Sequence, residues 1–251
     1  GSAKEYYEKK GSCLIIPAID IRDGKCVRLY QGDFNRQTVF SDDPVSMAER
    51  WIDRGATTLH VVDLDGAKQG FPKNLGLVES IVRATGAIVH FGGGLRTRSD
   101  IERAFNAGVA KVNIGTTLVS DPDFLEWVAA EHGRKVLAAL DCRDGMVVSR
   151  AWLNDTGTSA AETAARLMAA GISDFVYTDV SRDGTMSGPD VAGIVKLLDS
   201  GAGVIASGGV SRLEDIAELS ALAKRGLKGI IIGRALYAAS FTLTEAMAAA
   251  R

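Results

Sequence analysis

The 251 residues carry 29 basic and 31 acidic side chains, a net charge of −2, and 46% are hydrophobic. That balance leaves no strong field to draw nucleic acid or an anionic membrane, and no apolar run approaches the ~20 residues a membrane span needs. The three cysteines, Cys13, Cys26 and Cys142, show no C-x-x-C spacing, which argues against a disulfide framework or thiolate metal site and fits free thiols in a reducing cytosol.

In chain order, residues 1–12 (GSAKEYYEKKGS) are charged and aromatic and lack the apolar centre of a signal peptide. They read as a disordered tail or added leader, with the fold occupying residues 13–251. The first element, Leu14–Ile19, is a short branched apolar run that stops on Asp20, as a strand buried on both faces does. Seven similar runs follow, at Thr58–Val62, Ile88–Phe91, Lys111–Ile114, Val136–Leu140, Asp174–Tyr177, Val204–Ala206 and Gly229–Ile232. Amphipathic helical stretches alternate with them: Pro44–Arg54, Asn74–Ala84, Ser99–Ala107, Pro122–Glu131, Ala160–Ala170, Asp190–Asp199, Leu213–Ala223 and Thr244–Ala250. Ser99, Asp121 and Ser211 read as helix caps, and pairs such as Arg54-Gly55 and Ala107-Gly108 as helix stops. Eight β-α units at this length predict a single-domain (β/α)8 barrel of the TIM type. A doubly wound open sheet is the competing architecture, but its Gly-x-Gly-x-x-Gly after the first strand is missing.

The second half echoes the first. Ile16–Gly24 (IPAIDIRDG) is answered by Leu137–Gly145 (LAALDCRDG), and Gly55–Asp63 by Gly171–Asp179. Gly93-Gly94 is answered by Gly208-Gly209, and Gly115 by Gly233. The four offsets fall between 115 and 121 residues and keep their order, which predicts two duplicated (β/α)4 half-barrels. With both halves in one chain, a monomer suffices.

This repeat places two glycine pairs on opposite sides of the barrel mouth. Gly93, Gly94, Gly115 and Thr116 follow the third and fourth strands; Ser207, Gly208, Gly209, Gly233 and Arg234 follow the seventh and eighth. Glycine lets backbone amides approach an anion, and amides at helix starts are ready donors. The turns alone would explain one such pair. Two matched pairs predict a ligand with a phosphate at each end. Asp20 and Asp141 close the first and fifth strands, opposite one another in an eight-stranded ring, where paired carboxylates suit general acid and base work on the middle of that ligand. Thr178 is placed to hydrogen-bond a sugar hydroxyl or orient a carboxylate. Asp179, matched by Asp63, is a further contact, and Gly184 and Gly188 predict a mobile loop over the site. His60, His90 and His132 share no metal-ligand spacing and read as structural. No nicotinamide or flavin fingerprint and no strand-end lysine appear, so the expected chemistry is proton transfer without cofactor or metal.

The runs IIPAIDIRDGKCVRLYQGD, HVVDLDGA, GGGLR, NIGT, TDVSRDGTMSGP, ASGGV and IIGRALY resemble the phosphoribosylformimino-aminoimidazole-carboxamide ribotide isomerase family of histidine biosynthesis, from about Leu14 to the end. The sister cyclase family typically reads Pro-Cys-Leu-Asp in the first strand, where this chain has Pro17-Ala18-Ile19-Asp20. The resemblance implies an Amadori rearrangement of a bis-phosphorylated aminoribose, with Asp141 as the acid that opens the ring, Asp20 as the base at C2, Thr178 in support, and Trp152 stacking on substrate. The family usually has glycine where Ala151 precedes Trp152. Arg96 and Arg143 are the further substrate contacts. One branch also isomerises phosphoribosylanthranilate; Arg143 fits that branch, whereas Gly92 stands where it tends to have serine. A non-catalytic phosphosugar-binding barrel is the reading from another class, and the presence of both aspartates argues against it.

Overall fold

The computed structural model describes residues 13–149 and 154–251. Eight parallel strands close into a ring: β1 (Leu14–Arg22), β4 (Thr58–Asp63), β5 (Ile88–Gly92), β6 (Lys111–Ile114), β7 (Val136–Arg143), β10 (Asp174–Asp179), β11 (Gly203–Ser207) and β12 (Leu227–Ile232). Each pairs with the next, β10 closes on β7, and β12 returns to β1. The remaining strands form antiparallel extensions at the mouth: β2 (Lys25–Tyr30) and β3 (Asp33–Ser41) fold back from β1, and β8 (Met146–Ser149) and β9 (Asn154–Ser159) from β7. Asp23-Gly24 and Asp144-Gly145 make the two turns with the same backbone, φ of 50° and 73° against 52° and 77°. Two consecutive positive-φ residues make the tight hairpin turn whose twist matches that of its strands.

The helices cover the ring: α1 (Pro44–Asp53), α2 (Leu64–Gln69), α3 (Leu75–Thr85), α4 (Arg98–Asn106), α5 (Thr116–Ser120), α6 (Pro122–His132), α7 (Ala160–Ala169), α8 (Val191–Asp199), α9 (Leu213–Ser220), α10 (Arg234–Tyr237) and α11 (Leu243–Ala249). None of the described helices is long and apolar enough to cross a membrane. Asp121 caps α6 as expected, through the Phe124 amide. The cap of α4 is Thr97, not Ser99: its hydroxyl accepts from the Asp100 amide while the Asp100 carboxylate accepts from the Thr97 amide. Ser211 likewise precedes the cap position of α9, which Arg212 occupies, and its amide and hydroxyl donate to Asp215. In both cases the carboxylate three residues past the cap determines the start.

Strand residues divide by twos between an inner and an outer core. Ile15, Ile19, Leu59, Val61, Val89, Phe91, Ile230 and Ile232 pack outward under the helices. Ile16, Ala18, Leu137, Val176, Ile205 and Ile231 fill the lumen. Both sets are apolar, which is why the sequence shows no alternation. Pro17 sits in the middle of β1 without an amide proton to give. It stands where the strand changes partner: pairing to β12 ends at Pro17↔Ile232 and pairing to β4 begins at Ala18↔His60, so the stagger of the barrel accommodates it.

In its middle layers the lumen is polar mainly on the side of β4, β5 and β6. The inward positions of β4, β5 and β6 are His60, His90, Lys111 and Asn113; the matching positions of β10, β11 and β12 are Val176, Ile205, Gly229 and Ile231. The two imidazoles meet edge to face with centroids 6.4 Å apart. Lys111 Nζ lies 2.7 Å from Asp174 Oδ2, and Lys228 takes the other oxygen. Burial holds both imidazoles neutral, and the Arg28 guanidinium acts on His60 in the same direction, so His60 is lowered to about 4 and His90 also lies well below its usual value.

Unfolding therefore takes up protons at these two residues once the pH falls below the free-histidine value of 6.5. Asp20, raised to about 6, and Asp183, also raised, release protons on unfolding in the lower part of that window and oppose the histidines there. Stability should thus begin to fall as the pH drops below 6.5, before the two carboxyls take up protons in the folded state, at up to about 1.4 kcal/mol per pH unit for each net proton. Urea unfolding at several pH values measures this slope, and His60→Gln should flatten it.

Candidate active site

Every parallel strand delivers its C-terminal end to one face of the ring, and the site assembles there. Asp20, near the end of β1, is buried, and its Oδ2 lies 2.9 Å from Arg28 Nη1. Arg28 stands on β2, brought back over the mouth by the Asp23-Gly24 turn. Its other terminal nitrogen lies 3.9 Å from Asp183 Oδ1, on the loop after β10. One largely enclosed guanidinium thus faces a buried carboxylate and a partly buried one. Burial pushes the Asp20 carboxyl up, Arg28 opposes that, and Asp183 adds to it; the outcome is a value near 6. Asp183 is raised for the same first reason, with Arg28 and the Gly184 amide opposing it. A carboxylate near 6 is ionised at neutral pH yet basic enough to take a proton from carbon.

Across the mouth, half-buried Asp141 lies on β7 in register with Thr178 on β10, and Thr178 is in register with Ser207 on β11. The three side chains share one inward layer facing the Asp20 side. Arg143 follows two residues later and is exposed beside the hairpin turn. Trp152 lies outside the described residues.

The two glycine pairs adopt one conformation twice, with φ of 108° and 78° at Gly93 and Gly94 and 90° and 84° at Gly208 and Gly209. A Cβ on Gly93 would overlap the Asp63 backbone, and one on Gly209 the backbone of Gly188. These glycines are therefore required by the packing of the loops after β4 and β10, which the two matched aspartates organise. Asp63 accepts from the amides of Gly66, Lys73 and Asn74 and from the Asn74 side chain. Asp179 accepts from the Ser181 amide and hydroxyl and faces Arg182 Nε at 3.2 Å. The Asp179 carboxylate is thus engaged inside its own loop. Arg96 lies against Gly70 at the first pair.

Gly115 and Gly233 cap the short helices α5 and α10 with like backbones, φ −102°, ψ −110° and φ −107°, ψ −95°. Thr116 opens α5 and Arg234 opens α10. Gly208, Gly209, Gly233 and Arg234 line a small recess together with Arg28 and Asp183. Gly233 has no space for a Cβ, because the Arg28 guanidinium fills it. The loop carrying Gly184, expected to be mobile, is docked here on the β2–β3 hairpin. The Gln31 amide donates to Asp183 O at 3.1 Å and the Gln31 side chain to Ser181 O at 2.6 Å. Arg234 donates to Gly184 O and stacks over Tyr30.

Arg28 and Asp183 are the residues that strand-end reasoning overlooks. The one sequence signal was an arginine between Val27 and Leu29 in an otherwise apolar strand. Among the described residues, no group of three or more His, Cys, Asp or Glu side chains could hold a metal ion.

Fold and site together define a (β/α)8 barrel with two opposed carboxylates set between two matched glycine turns. A sequence profile described as "Histidine biosynthesis protein" matches residues 14–242, and the chain belongs to that family. Among curated relatives, a protein of Brevibacillus brevis is 47% identical over 237 residues, 94% of this chain and 95% of its own. One from Roseiflexus castenholzii is 45% identical over 94% of this chain and 98% of its own, and one from Geobacillus kaustophilus 45% over 93% and 96%. All three are named 1-(5-phosphoribosyl)-5-((5-phosphoribosylamino)methylideneamino)imidazole-4-carboxamide isomerase.

The electrostatics yield one prediction for this site. Arg28→Met removes the cation that opposes burial, so the Asp20 carboxyl should move above its present value of about 6. Carboxyl ¹³C shifts followed against pH report it directly.

Proposed function

We propose that this chain isomerises the compound its relatives are named for, as an aldose-to-ketose conversion by acid/base chemistry between Asp141 and Asp20. The observation that carries the proposal is the placement of a raised, buried carboxylate and a second aspartate on opposite walls of one mouth, midway between two matched glycine turns. The substrate in the relatives' name carries two 5-phosphoribosyl groups and so has a phosphate at each end. Amides around Gly93, Gly94, Gly115 and Thr116, with Arg96, receive one phosphate. Those around Ser207, Gly208, Gly209, Gly233 and Arg234 receive the other, and the reacting aminoribose lies between the carboxylates.

Asp141 gives its proton to the furanose oxygen as the bond from that oxygen to C1 breaks. The nitrogen lone pair forms the C1=N iminium. Asp20 takes the proton from C2, and the electrons of that C–H bond form C1=C2 and neutralise the iminium. The resulting enol returns to a ketone at C2 as its hydroxyl gives its proton to the now ionised Asp141 and C1 takes a proton from the Asp20 carboxyl, which restores both groups. Thr178 holds the C2 oxygen or steadies Asp141. Trp152 and Arg143 flank the aglycone, Asp179 and Gly184 shape the covering loop, and no cofactor or metal takes part. The matched turns and strand ends are read as the outcome of a half-barrel duplication.

Asp20→Asn should lower turnover by about 10²–10⁴-fold and leave ligand affinity nearly intact, because the amide keeps the shape but cannot take the proton. Steady-state kinetics with calorimetric binding checks both halves; normal turnover in this variant rules out Asp20 as the base. Inorganic phosphate should compete with substrate, and Gly209→Ala should weaken that competition.

A further inference from the structure

The last turn of the chain's motif IIGRALY ends on Tyr237, which the chemistry above does not use. Tyr237 is partly buried at the end of α10, and its hydroxyl donates to the Ala18 carbonyl at 2.9 Å. That hydroxyl has one proton, already given to an acceptor with none of its own. The 3.2 Å contact with Cys26 Sγ is therefore a thiol donating to the tyrosine oxygen. Burial keeps both groups protonated, Cys26 raised to about 11 and Tyr237 well above its usual value. The bonds run one way, from Cys26 to Tyr237 to Ala18.

Each end of this relay reaches the site in two residues. Ala18 and Asp20 face the lumen from the same strand, and β1 has already parted from β12 at Pro17↔Ile232. Cys26 and Arg28 lie on the same strand, with Cys26 in the rung Ile21↔Cys26 and Val27 opposite Asp20. The third connection is to the glycine turn: the Tyr237 and Leu236 amides bond the Gly233 carbonyl, and Gly233 touches Arg28. Phe40 at 4.8 Å and the edge of Trp51 at 5.5 Å hold the ring. The matching residue of the first half is Val119, which has no hydroxyl.

We propose that Tyr237 is a positioning residue: its hydroxyl pins the base strand and the Arg28 hairpin to the Gly233–Arg234 turn, so that phosphate seated on that turn fixes Asp20 against Arg28. This rests on the isomerase reading above.

Tyr237→Phe keeps the ring and removes one oxygen. Turnover in the folded variant should fall about tenfold, the scale of one lost hydrogen bond expressed in the barrier. KM should stay within about twofold, because the phosphate amides are untouched. Cys26→Ala should slow turnover in the same direction, and Cys26→Ser, which restores a donor, should recover it. A second readout needs no substrate. The Asp20 carboxyl, faced by Arg28 and Cys26 from β2, Asp183 from the loop after β10 and His60 from β4, should titrate higher in Tyr237→Phe. Wild-type kcat together with an unmoved Asp20 titration in Tyr237→Phe overturns the proposal. Should Tyr237→Phe fail to fold, equal kcat in the alanine and serine variants of Cys26 overturns it. An unsubstituted chain that turns over nothing would instead refute the isomerase reading, and the titration would still decide the role of Tyr237.

Discussion

The buried contact between Asp20 and Arg28 is what the upper half of this barrel is built around. A carboxylate enclosed at a strand end carries a large desolvation cost unless a cation or donor meets it. Arg28 cannot come from a neighbouring barrel strand; it comes from a hairpin that folds back over the mouth. That requires the positive-φ Asp23-Gly24 turn and a glycine at 233, where a side chain would displace the guanidinium. Asp183 meets the remaining face of Arg28, which in turn requires the loop after β10 to dock on the hairpin through Gln31. One ion pair thus fixes the places of three separate segments.

The two halves of the ring share a backbone and differ in what they present. Turns, caps and glycine pairs match to within about 20° in φ, and Asp100 and Asp215 start their helices in the same way. The lumen departs from this symmetry, with His60, His90, Lys111 and Asn113 facing Val176, Ile205, Gly229 and Ile231. So does the mouth, where Arg28 in the first half and Thr178 and Tyr237 in the second have no like partner in the other half. A near-symmetric frame suits a ligand with two similar ends, and the asymmetric residues give that ligand a direction.

Much of this was legible in the residues. The eight barrel strands and the long helices were readable because each is a sustained apolar pattern bounded by glycine or a cap. The strand ends therefore placed Asp20, Asp141 and Thr178 at the mouth. The hairpins β2–β3 and β8–β9 were not readable: Asp33–Ser41 is mostly exposed, so burial imprints no pattern on it. Helices α2, α5 and α10 span four to six residues, too few to show a period. Arg28 and Asp183 escaped for a related reason. Their importance arises from a long-range meeting of loops, which local spacing does not encode. Ser99 misled because serine is a good cap in general, whereas Thr97 has the carboxylate three residues ahead that closes the box.

The central claim is that a carboxylate on β1 removes the proton from C2 of the aminoribose. Substrate deuterated at that carbon tests it most directly. The account predicts a primary isotope effect on turnover and a ketose product in which part of the label, held on an exchangeable carboxyl, has passed to water rather than to C1. No isotope effect, or deuterium carried over wholly to C1 with none released to water, would contradict it.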